Sequence, residues 1–255
     1  MSVPPRLFVA SDLVKNGFAA LDEAQAKYLT RVLRLGRGDR VRVFNGRDGE
    51  WAAELDTVEG RTVLLKALAP LRDQATTPDL VLMFAPLKKA RTDFVVEKAT
   101  ELGACLIQPV ITERTQAARV RAERLQKVAL EAAEQTERLD LPLVRPAAAL
   151  HAALDALEAE RPVFFCDEGG AGEGTPWTGP GARAAPAIAA FRACRVRSGA
   201  ILVGPEGGFS QGEREMLHAR DGVTAISLGP RILRAETAAV AALALWEATL
   251  GDWDQ

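Results

Sequence analysis

Two segments near the C-terminus constrain the fold of this 255-residue chain most strongly. Residues 202–210 read LVGPEGGFS, and residues 228–238 read LGPRILRAETA. In each segment, Gly and Pro follow an apolar run typical of a buried β-strand, and a helical pattern comes next. Small ligands bind where the strands of an open α/β sheet end in such loops. The two segments therefore predict two adjacent strand ends that enclose a ligand crevice.

The chain around these segments alternates between short apolar runs and longer helical patterns. The expected strands and helices, in chain order, are 80–84, 92–102, 106–110, 121–138 and 163–166. This alternation predicts an α/β domain with a parallel sheet. The apolar run 238–246 is too short for a membrane span, which needs about 20 residues, and we expect it to be a buried helix.

The first seventy or so residues have a different character. Strand-like runs occupy residues 41–44, 51–55 and 62–68, and a short helix is expected near 22–34. A polar segment with a proline at each end follows, which is typical of a domain boundary. We therefore predict a small β-rich domain over 1–72 and an α/β domain over 73–255.

Charge and cysteine content limit the possible functions. The net charge is −2, so any polyanion site is local. The cysteines are three isolated residues, which indicates a reduced cytosolic protein, and with two histidines and no CxxC motif no metal site is expected. The Gly-rich residues 169–181 do not have dinucleotide-binding spacing, and no Walker motif occurs, which disfavours a nucleotide-using enzyme.

The two C-terminal segments contain the candidate functional side chains. Ser210 and Glu213 have the spacing of a capping box, but Glu206, between turn glycines, is more typical of a ligand site. Arg231 and Arg234 precede the last helix, where a cation is unfavourable to the helix dipole. We expect a partner for them in Glu206, in the first-turn acid Glu236, or in an RNA phosphate.

Other candidates lie outside these segments. The amide of Gln135 can read a base edge, although a surface ion pair between its neighbours is an equally good interpretation of that helix. Arginines are concentrated in the N-terminal domain, and Lys88, Lys89 and Arg91 form a second basic group. Such groups are either solvated surface or the footprint of phosphate binding.

Five segments, in this order along the chain, resemble the RsmE family of SPOUT-class RNA methyltransferases. They are RVLR with Gly38-Asp39 at 31–39, EKATELG at 97–103, EAAEQ at 131–135, GPEGGF at 204–209, and LGPRILRAETA at 228–238. The chain departs from the family at Lys27-Tyr28, where histidines are frequent, and at Thr115, where serine is usual.

The resemblance implies an N-terminal PUA-like β-barrel and a C-terminal SPOUT α/β domain with a trefoil knot. It implies a cytoplasmic homodimer that uses S-adenosyl-L-methionine to methylate N3 of a uridine in 16S ribosomal RNA of the small ribosomal subunit. A SPOUT enzyme acting on another RNA, such as a tRNA, and a non-catalytic RNA-binding assembly factor are the alternatives.

The resemblance also implies roles for individual residues. The catalytic candidates are Arg234, Glu206 and Gln135. Arg234 is expected to stabilise charge, and Glu206 to act as base or to hold Arg234 in place. The expected cofactor-binding residues are Leu202, Val203, Gly204, Glu206, Gly207, Leu228, Gly229, Ile232 and Leu233. The expected RNA-binding residues are Arg6, Arg31, Arg34, Arg114 and Arg138.

Overall fold

A computed structural model describes residues 4–60, 62–116, 120–167 and 184–253. The chain divides into two compact units, and the first consists of Met1–Thr76 together with Ala133–Leu141. The second consists of Thr77–Ala132 and Pro142–Gln255. The sequence analysis places 133–141 in the C-terminal domain, whereas Ala133 and Leu139 pack with Phe44 in an apolar cluster of the first unit. The Gly-rich residues 169–181 lie outside the described residues.

The first unit is built on a mostly antiparallel sheet. Its strands are β1 (Arg6–Phe8), β2 (Phe18–Ala20), β3 (Arg40–Phe44), β4 (Glu50–Glu59) and β5 (Thr62–Arg72). Their order is β1-β3-β4-β5-β2, with β1 parallel to β3. Val63, Leu65 and Ala67 are buried on one face of β5, as strand periodicity requires. The predicted β-rich domain is thus confirmed.

The helix expected near residues 22–34 is shorter and changes type. α1 (Glu23–Lys27) begins with a capping box between Asp22 and Gln25. A π-helical turn, Tyr28–Val32, follows it directly. Arg34 then has a φ of 58°, in the left-handed region that arginine rarely adopts. Such local irregularities are concentrated at functional positions.

The second unit is a parallel α/β sheet with helices, as predicted. Its strands are β6 (Leu80–Phe84), β7 (Leu106–Ile111), β8 (Leu143–Val144), β9 (Ala148–Ala149), β10 (Val163–Cys166), β11 (Ala185–Pro186), β12 (Gly199–Val203) and β13 (Val223–Ser227). Its helices are α2 (Lys89–Glu101), α3 (Ala122–Gln135), α4 (Leu150–Asp155), α5 (Ala187–Ala193), α6 (Gln211–Ala219) and α7 (Ala235–Glu247). Every residue of β6 and β12 is buried, which is typical of central parallel strands.

The strand order corrects one expectation about the crevice. The order is β11-β13-β10-β12-β6-β7-β8, and β9 pairs with β7. β10 therefore lies between β12 and β13, and the two Gly-Pro segments do not follow adjacent strands. Three neighbouring strand ends, rather than two, form this edge of the sheet.

The helices also refine the sequence expectations. α3 ends at Gln135, three residues before the predicted end at residue 138. α7 is the buried C-terminal helix, and its buried residues include Ala242, Leu243 and Trp246. In the described ranges, no helix is both long and apolar enough to cross a membrane. The trefoil knot stays a prediction.

Candidate functional site

A cavity of about 590 Å³ lies at the carboxyl ends of β12, β10 and β13. This volume is in the range of small-molecule sites, about 300–1,000 Å³. Its lining residues come from both Gly-Pro segments, from the end of β10 and from neighbouring helices. They are Arg91, Arg114, Cys166, Asp167, Val203, Gly204, Pro205, Glu206, Gly207, Gly208, Phe209, Arg214, Ile232, Leu233, Arg234, Ala235 and Ala238.

The loop after β12 is shaped by close contacts at its glycines. A Cβ added at Gly204 would lie 3.0 Å from the ring of Phe209, so a larger residue would displace the ring. Gly208 has a φ of 67°, and its N–H donates to the Pro205 carbonyl at 2.8 Å. Phe209 itself packs edge-to-face on Phe165 of β10, with ring centroids 6.1 Å apart. The loop is therefore a fixed wall of the cavity.

The capping box predicted at Ser210 and Glu213 is confirmed at the start of α6. One carboxylate oxygen of Glu213 accepts the Ser210 N–H at 2.9 Å. The other accepts the Glu113 N–H at 2.8 Å, so the same side chain also holds the chain after β7. A helix cap and a loop anchor are combined in one buried residue.

Arg114 lies in the cavity wall and contacts the loop after β12. Its Nη1 donates to the Gly207 carbonyl at 2.9 Å and to the Phe209 carbonyl at 3.4 Å. The side chain is exposed, so an RNA contact is compatible with its position. Arg114 therefore also braces the loop, a role that the sequence analysis did not include.

Arg234 is the N-terminal cap residue of α7 and is exposed at the cavity. The partner expected for it in Glu206 or Glu236 is not observed. Glu206 pairs with Arg91 of α2, and the Oε1 atom of Glu236 lies 3.5 Å from the Nε atom of Arg91. Among the described residues, no acid pairs with the Arg234 guanidinium.

A buried carboxylate stands at the end of β10. Asp167 is only 5% exposed, and its Oδ2 accepts from the Arg214 guanidinium at 3.0 Å. Nε2 of His218 lies 3.3 Å from the same oxygen. The strand end between the two Gly-Pro segments thus adds a charged group to the cavity lining.

Most of the expected cofactor-binding residues come together in this cavity. Val203, Gly204, Glu206, Gly207, Ile232 and Leu233 line it. Leu202 is wholly buried in β12, and Leu228 packs against the core of the second unit. Gly229 turns the chain after β13 with a φ of 111°. Leu202, Leu228 and Gly229 are absent from the described lining, and their cofactor-binding role stays a prediction.

The sequence analysis missed several lining residues. Cys166 and Asp167 were identifiable as a strand end, but only the order of the sheet brings them between the two segments. Arg91 was counted only as a member of a basic group. Arg214 follows the recognised capping box by one residue, and no sequence signal distinguishes it.

The expected RNA-binding arginines of the first unit divide into two pairs. Arg31 and Arg34 are exposed, at the π-helical turn and directly after it. Arg6 and Arg138 are buried. Arg138 donates to Asp140 at 2.8 Å, and Gln135 is exposed at the end of α3. The expected RNA contact therefore fits Arg31 and Arg34, whereas the other two arginines have partners inside the protein.

Arg6 is the centre of a buried network in the first unit. Its Nε lies 2.6 Å from Glu50 Oε1, and its Nη1 donates to the Ala133 carbonyl at 2.6 Å. The guanidinium also stacks 3.8 Å above the ring of Phe44. Burial raises the pKa of Glu50, but the hydrogen bonds from Arg72 and Arg6 outweigh it, so the pKa is lowered overall.

The described part of the chain contains no group of three or more His, Cys, Asp or Glu residues that could hold a metal ion. The cavity residues are instead glycines, apolar side chains and charged side chains that suit an organic ligand.

Comparison with known proteins assigns the family. The sequence profile described as "RNA methyltransferase domain" matches residues 74–247, and the one described as "RNA methyltransferase PUA domain" matches residues 21–68. A ribosomal RNA small subunit methyltransferase E from Rickettsia conorii is 32% identical over 94% of this chain and 93% of its own length. The chain belongs to the ribosomal RNA small subunit methyltransferase E family. A Synechocystis member is also 32% identical, over 96% of this chain and 78% of its own length.

Solved structures agree with the family. A methyltransferase from Legionella pneumophila, crystallised with SAM, has a TM-score of 0.81 at 25% identity and covers 98% of this chain and 100% of its own. The methyltransferase E of Neisseria gonorrhoeae, bound to S-adenosyl methionine, has a TM-score of 0.79 at 27% identity with the same coverage. The PUA-like unit and the SPOUT-type parallel α/β unit predicted from the family resemblance are thus confirmed.

Proposed function

We propose that this protein transfers a methyl group from S-adenosyl-L-methionine to N3 of a specific uridine in 16S ribosomal RNA of the small ribosomal subunit. Family membership supports the reaction class and the RNA. The observation that carries the proposal at the residue level is Arg234, a cation exposed at the cavity and without an acidic partner among the described residues.

The cavity fits the cofactor in size and chemistry. Gly204 and Gly207 present backbone groups to the cavity, and Val203, Ile232 and Leu233 supply apolar contacts. When bound, the cofactor supplies an electrophilic methyl group on a sulfonium.

The protein side chains prepare the base for this reaction. Uracil N3 carries a proton at neutral pH, and its loss leaves negative charge on O2 and O4. Arg234 is placed to stabilise that charge, because a guanidinium at the cavity offers two parallel N–H donors to such oxygens. The base must first leave its stack to reach the cavity.

Exposure and contacts support the other proposed roles. Gln135, exposed on α3, supplies an amide that can hydrogen-bond the uracil edge, and Arg31 and Arg34 contact RNA phosphates. Glu206 is either the base that removes the N3 proton or a positioning group. Its ion pair with Arg91 favours positioning, since the carboxylate is already held by the guanidinium of another residue.

We further propose that the active protein is a cytoplasmic homodimer. The isolated half-buried cysteines fit a reducing compartment, and the ribosomal substrate requires access to the cytoplasm. Analytical ultracentrifugation of the full chain measures the dimer directly.

The decisive experiment is incubation with methyl-labelled S-adenosyl-L-methionine and three RNAs in parallel: small subunits that lack the modification, naked 16S ribosomal RNA, and tRNA. We expect label in the small subunit, at N3 of one uridine identified by nuclease mapping and mass spectrometry. Label in tRNA alone would contradict the proposal that 16S ribosomal RNA is the substrate. Absence of cofactor binding, together with no label in any of these RNAs, supports the assembly-factor alternative.

A further inference from the structure

Arg91 connects the two Gly-Pro segments through one guanidinium. It lies in the first turn of α2 and contacts Glu206, which belongs to the loop after β12. Its Nε lies 3.5 Å from Oε1 of Glu236, in the first turn of α7. Each acid belongs to one of the two segments that enclose the cavity, and Arg91 itself lines the cavity.

The burial of Glu236 separates this arrangement from an ordinary surface ion pair. The Glu236 side chain is only 14% exposed, against 37% for Arg91 and 42% for Glu206. Oε2 of Glu236 is buried without a donor among the described residues, so Arg91 is the cation that offsets its charge. The planar fork of arginine suits two carboxylates at once, whereas a lysine ammonium acts as a point charge.

The same contacts explain why Arg234 has no acidic partner. Glu206 and Glu236 are the acids that the two segments contain, and both contact Arg91 instead. Without Arg91, either carboxylate would gain from pairing with Arg234, which would cancel the positive charge at the cavity.

We propose that Arg91 is a positioning residue: it fixes the two cavity loops to α2 and withholds both carboxylates from Arg234, so that the Arg234 guanidinium is available to the substrate. This inference rests on the proposed methyl transfer, in which Arg234 stabilises charge on the base. Arg91 acts through these neighbours rather than on the reacting atoms.

The test compares three variants of the full chain. They are Arg91→Ala, Arg91→Lys, and the double variant that combines Arg91→Ala and Glu206→Gln. Affinity for S-adenosylhomocysteine is measured by calorimetry. The value of kcat is measured from the rate at which methylated RNA forms, and Tm is measured by thermal unfolding. Arg124→Ala is the matched control. Arg124 of α3 pairs with Asp93 of α2, the helix that contains Arg91, and its side chain is 35% exposed.

We expect Arg91→Ala to weaken binding of S-adenosylhomocysteine about fivefold, as for the loss of partly exposed ion pairs. We expect kcat to fall roughly tenfold or more, because Arg234 becomes neutralised. Adding Glu206→Gln removes a competing carboxylate and should restore part of kcat while affinity stays weak. Arg91→Lys should lie between, and Arg124→Ala should match the wild type in affinity and kcat.

Two results overturn the inference. One is unchanged affinity and kcat in Arg91→Ala. The other is a kcat for the double variant, Arg91→Ala plus Glu206→Gln, that is lower than the kcat of Arg91→Ala alone. If Arg91→Ala does not fold, Arg91→Lys and Glu236→Gln carry the test, because both keep side-chain volume; wild-type values in both contradict the proposal. If the wild-type protein itself binds no S-adenosylhomocysteine, the proposed function fails instead.

Discussion

At the scale of single residues, the candidate site separates charges that the sequence suggested would pair. Arg234 and Glu206 both line the cavity, but Glu206 is compensated by Arg91 and Arg234 has no acidic partner among the described residues. An uncompensated cation at the N-terminal cap of a helix is unfavourable to the helix dipole. The cost is consistent with a ligand that supplies the missing negative charge.

Replacing Arg234 by alanine should remove the charge stabilisation. We expect kcat to fall by about 10²- to 10³-fold, as for the loss of one oxyanion donor, with a smaller change in cofactor affinity. Arg231→Ala is the control, because Arg231 is exposed in the same segment and is absent from the described cavity lining. Equal turnover in the two variants would remove Arg234 from the mechanism.

Replacing Glu206 by glutamine distinguishes the two roles proposed for this carboxylate. We expect the acid limb of the kcat/KM profile to persist, with cofactor affinity weakened about fivefold by the loss of the Arg91 ion pair. The measurement is the pH dependence of kcat/KM for wild type and variant. Disappearance of the acid limb, with a rate loss of about 10²-fold or more, would instead assign the proton transfer to Glu206.

At the scale of secondary structure, periodicity predicted most strands and helices, but not their neighbours. β6, β10 and the capped start of α6 lie where the sequence indicated. The insertion of β10 between β12 and β13 was not predictable, because strand order depends on packing between distant segments rather than on local pattern. For the same reason the transfer of 133–141 to the first unit escaped the sequence analysis.

The buried network of Arg6 and Glu50 holds elements of the first unit together. Glu50 of β4 accepts from Arg6 of β1 at 2.6 Å and from Arg72 of β5 at 3.0 Å. Removing Arg6 leaves buried Glu50 with one cation fewer and takes a donor from the Ala133 and Arg138 carbonyls, which costs about 3 kcal/mol. The arginine that resembled an RNA contact in the sequence is therefore a structural residue.

We expect Arg6→Ala to lower the free energy of unfolding by about 3 kcal/mol, measured by urea denaturation. Arg47→Ala is the control, because its ion pair with Asp12 is largely exposed, 54% and 84% for the two side chains. Its loss should cost less than about 1 kcal/mol. A similar midpoint for both variants would show that the network contributes little.

The lowered pKa of Glu50 also predicts a pH dependence. A carboxyl with a pKa below its unfolded value stabilises the fold above that unfolded value, and the contribution is lost as the pH falls through the folded pKa. The first unit should therefore lose stability below about pH 4.3, the ordinary carboxyl pKa. Glu50→Gln should reduce the slope of stability against pH in that window, measured by urea denaturation from about pH 3 to about pH 6. An unchanged slope would contradict the role of Glu50.

At the scale of the whole molecule, the net charge of −2 hides a local concentration of arginine. Arg31, Arg34, Arg37 and Arg40 are all exposed within a short stretch of the first unit. A phosphate-binding surface needs only such a local excess of cations, because counterion release depends on the contacts made. Composition alone excluded a globally basic protein but not this surface.

The double variant Arg31→Ala with Arg34→Ala should weaken RNA binding and lower its salt dependence. Each lost phosphate contact reduces the slope of log K against log[salt] by about 0.7–0.9, so the pair should reduce it by about 1.5. Filter binding of 16S ribosomal RNA over a salt series gives the slope. Arg47→Ala serves as a single-charge control, and an unchanged slope in the double variant would place the RNA elsewhere.

Only part of the candidate site could be predicted from the sequence. Glycine-rich strand ends identified the cavity loops, because turn residues carry a local signal. Arg91 and Asp167 were not recognised as site residues, since each reaches the cavity only through the arrangement of distant elements. The family resemblance supplied the cofactor and the RNA, which no local pattern encodes.

The contacts of Arg6 with the end of α3 have a consequence for biosynthesis. Arg6 binds carbonyl groups that follow it by 127 and 132 residues, and the first unit includes residues as far as Leu141. During translation, the amino-terminal strands leave the ribosome well before these partners exist. This unit therefore cannot mature in strict vectorial order, as amino-terminal domains generally do. Its completion must wait until much of the methyltransferase sequence has emerged.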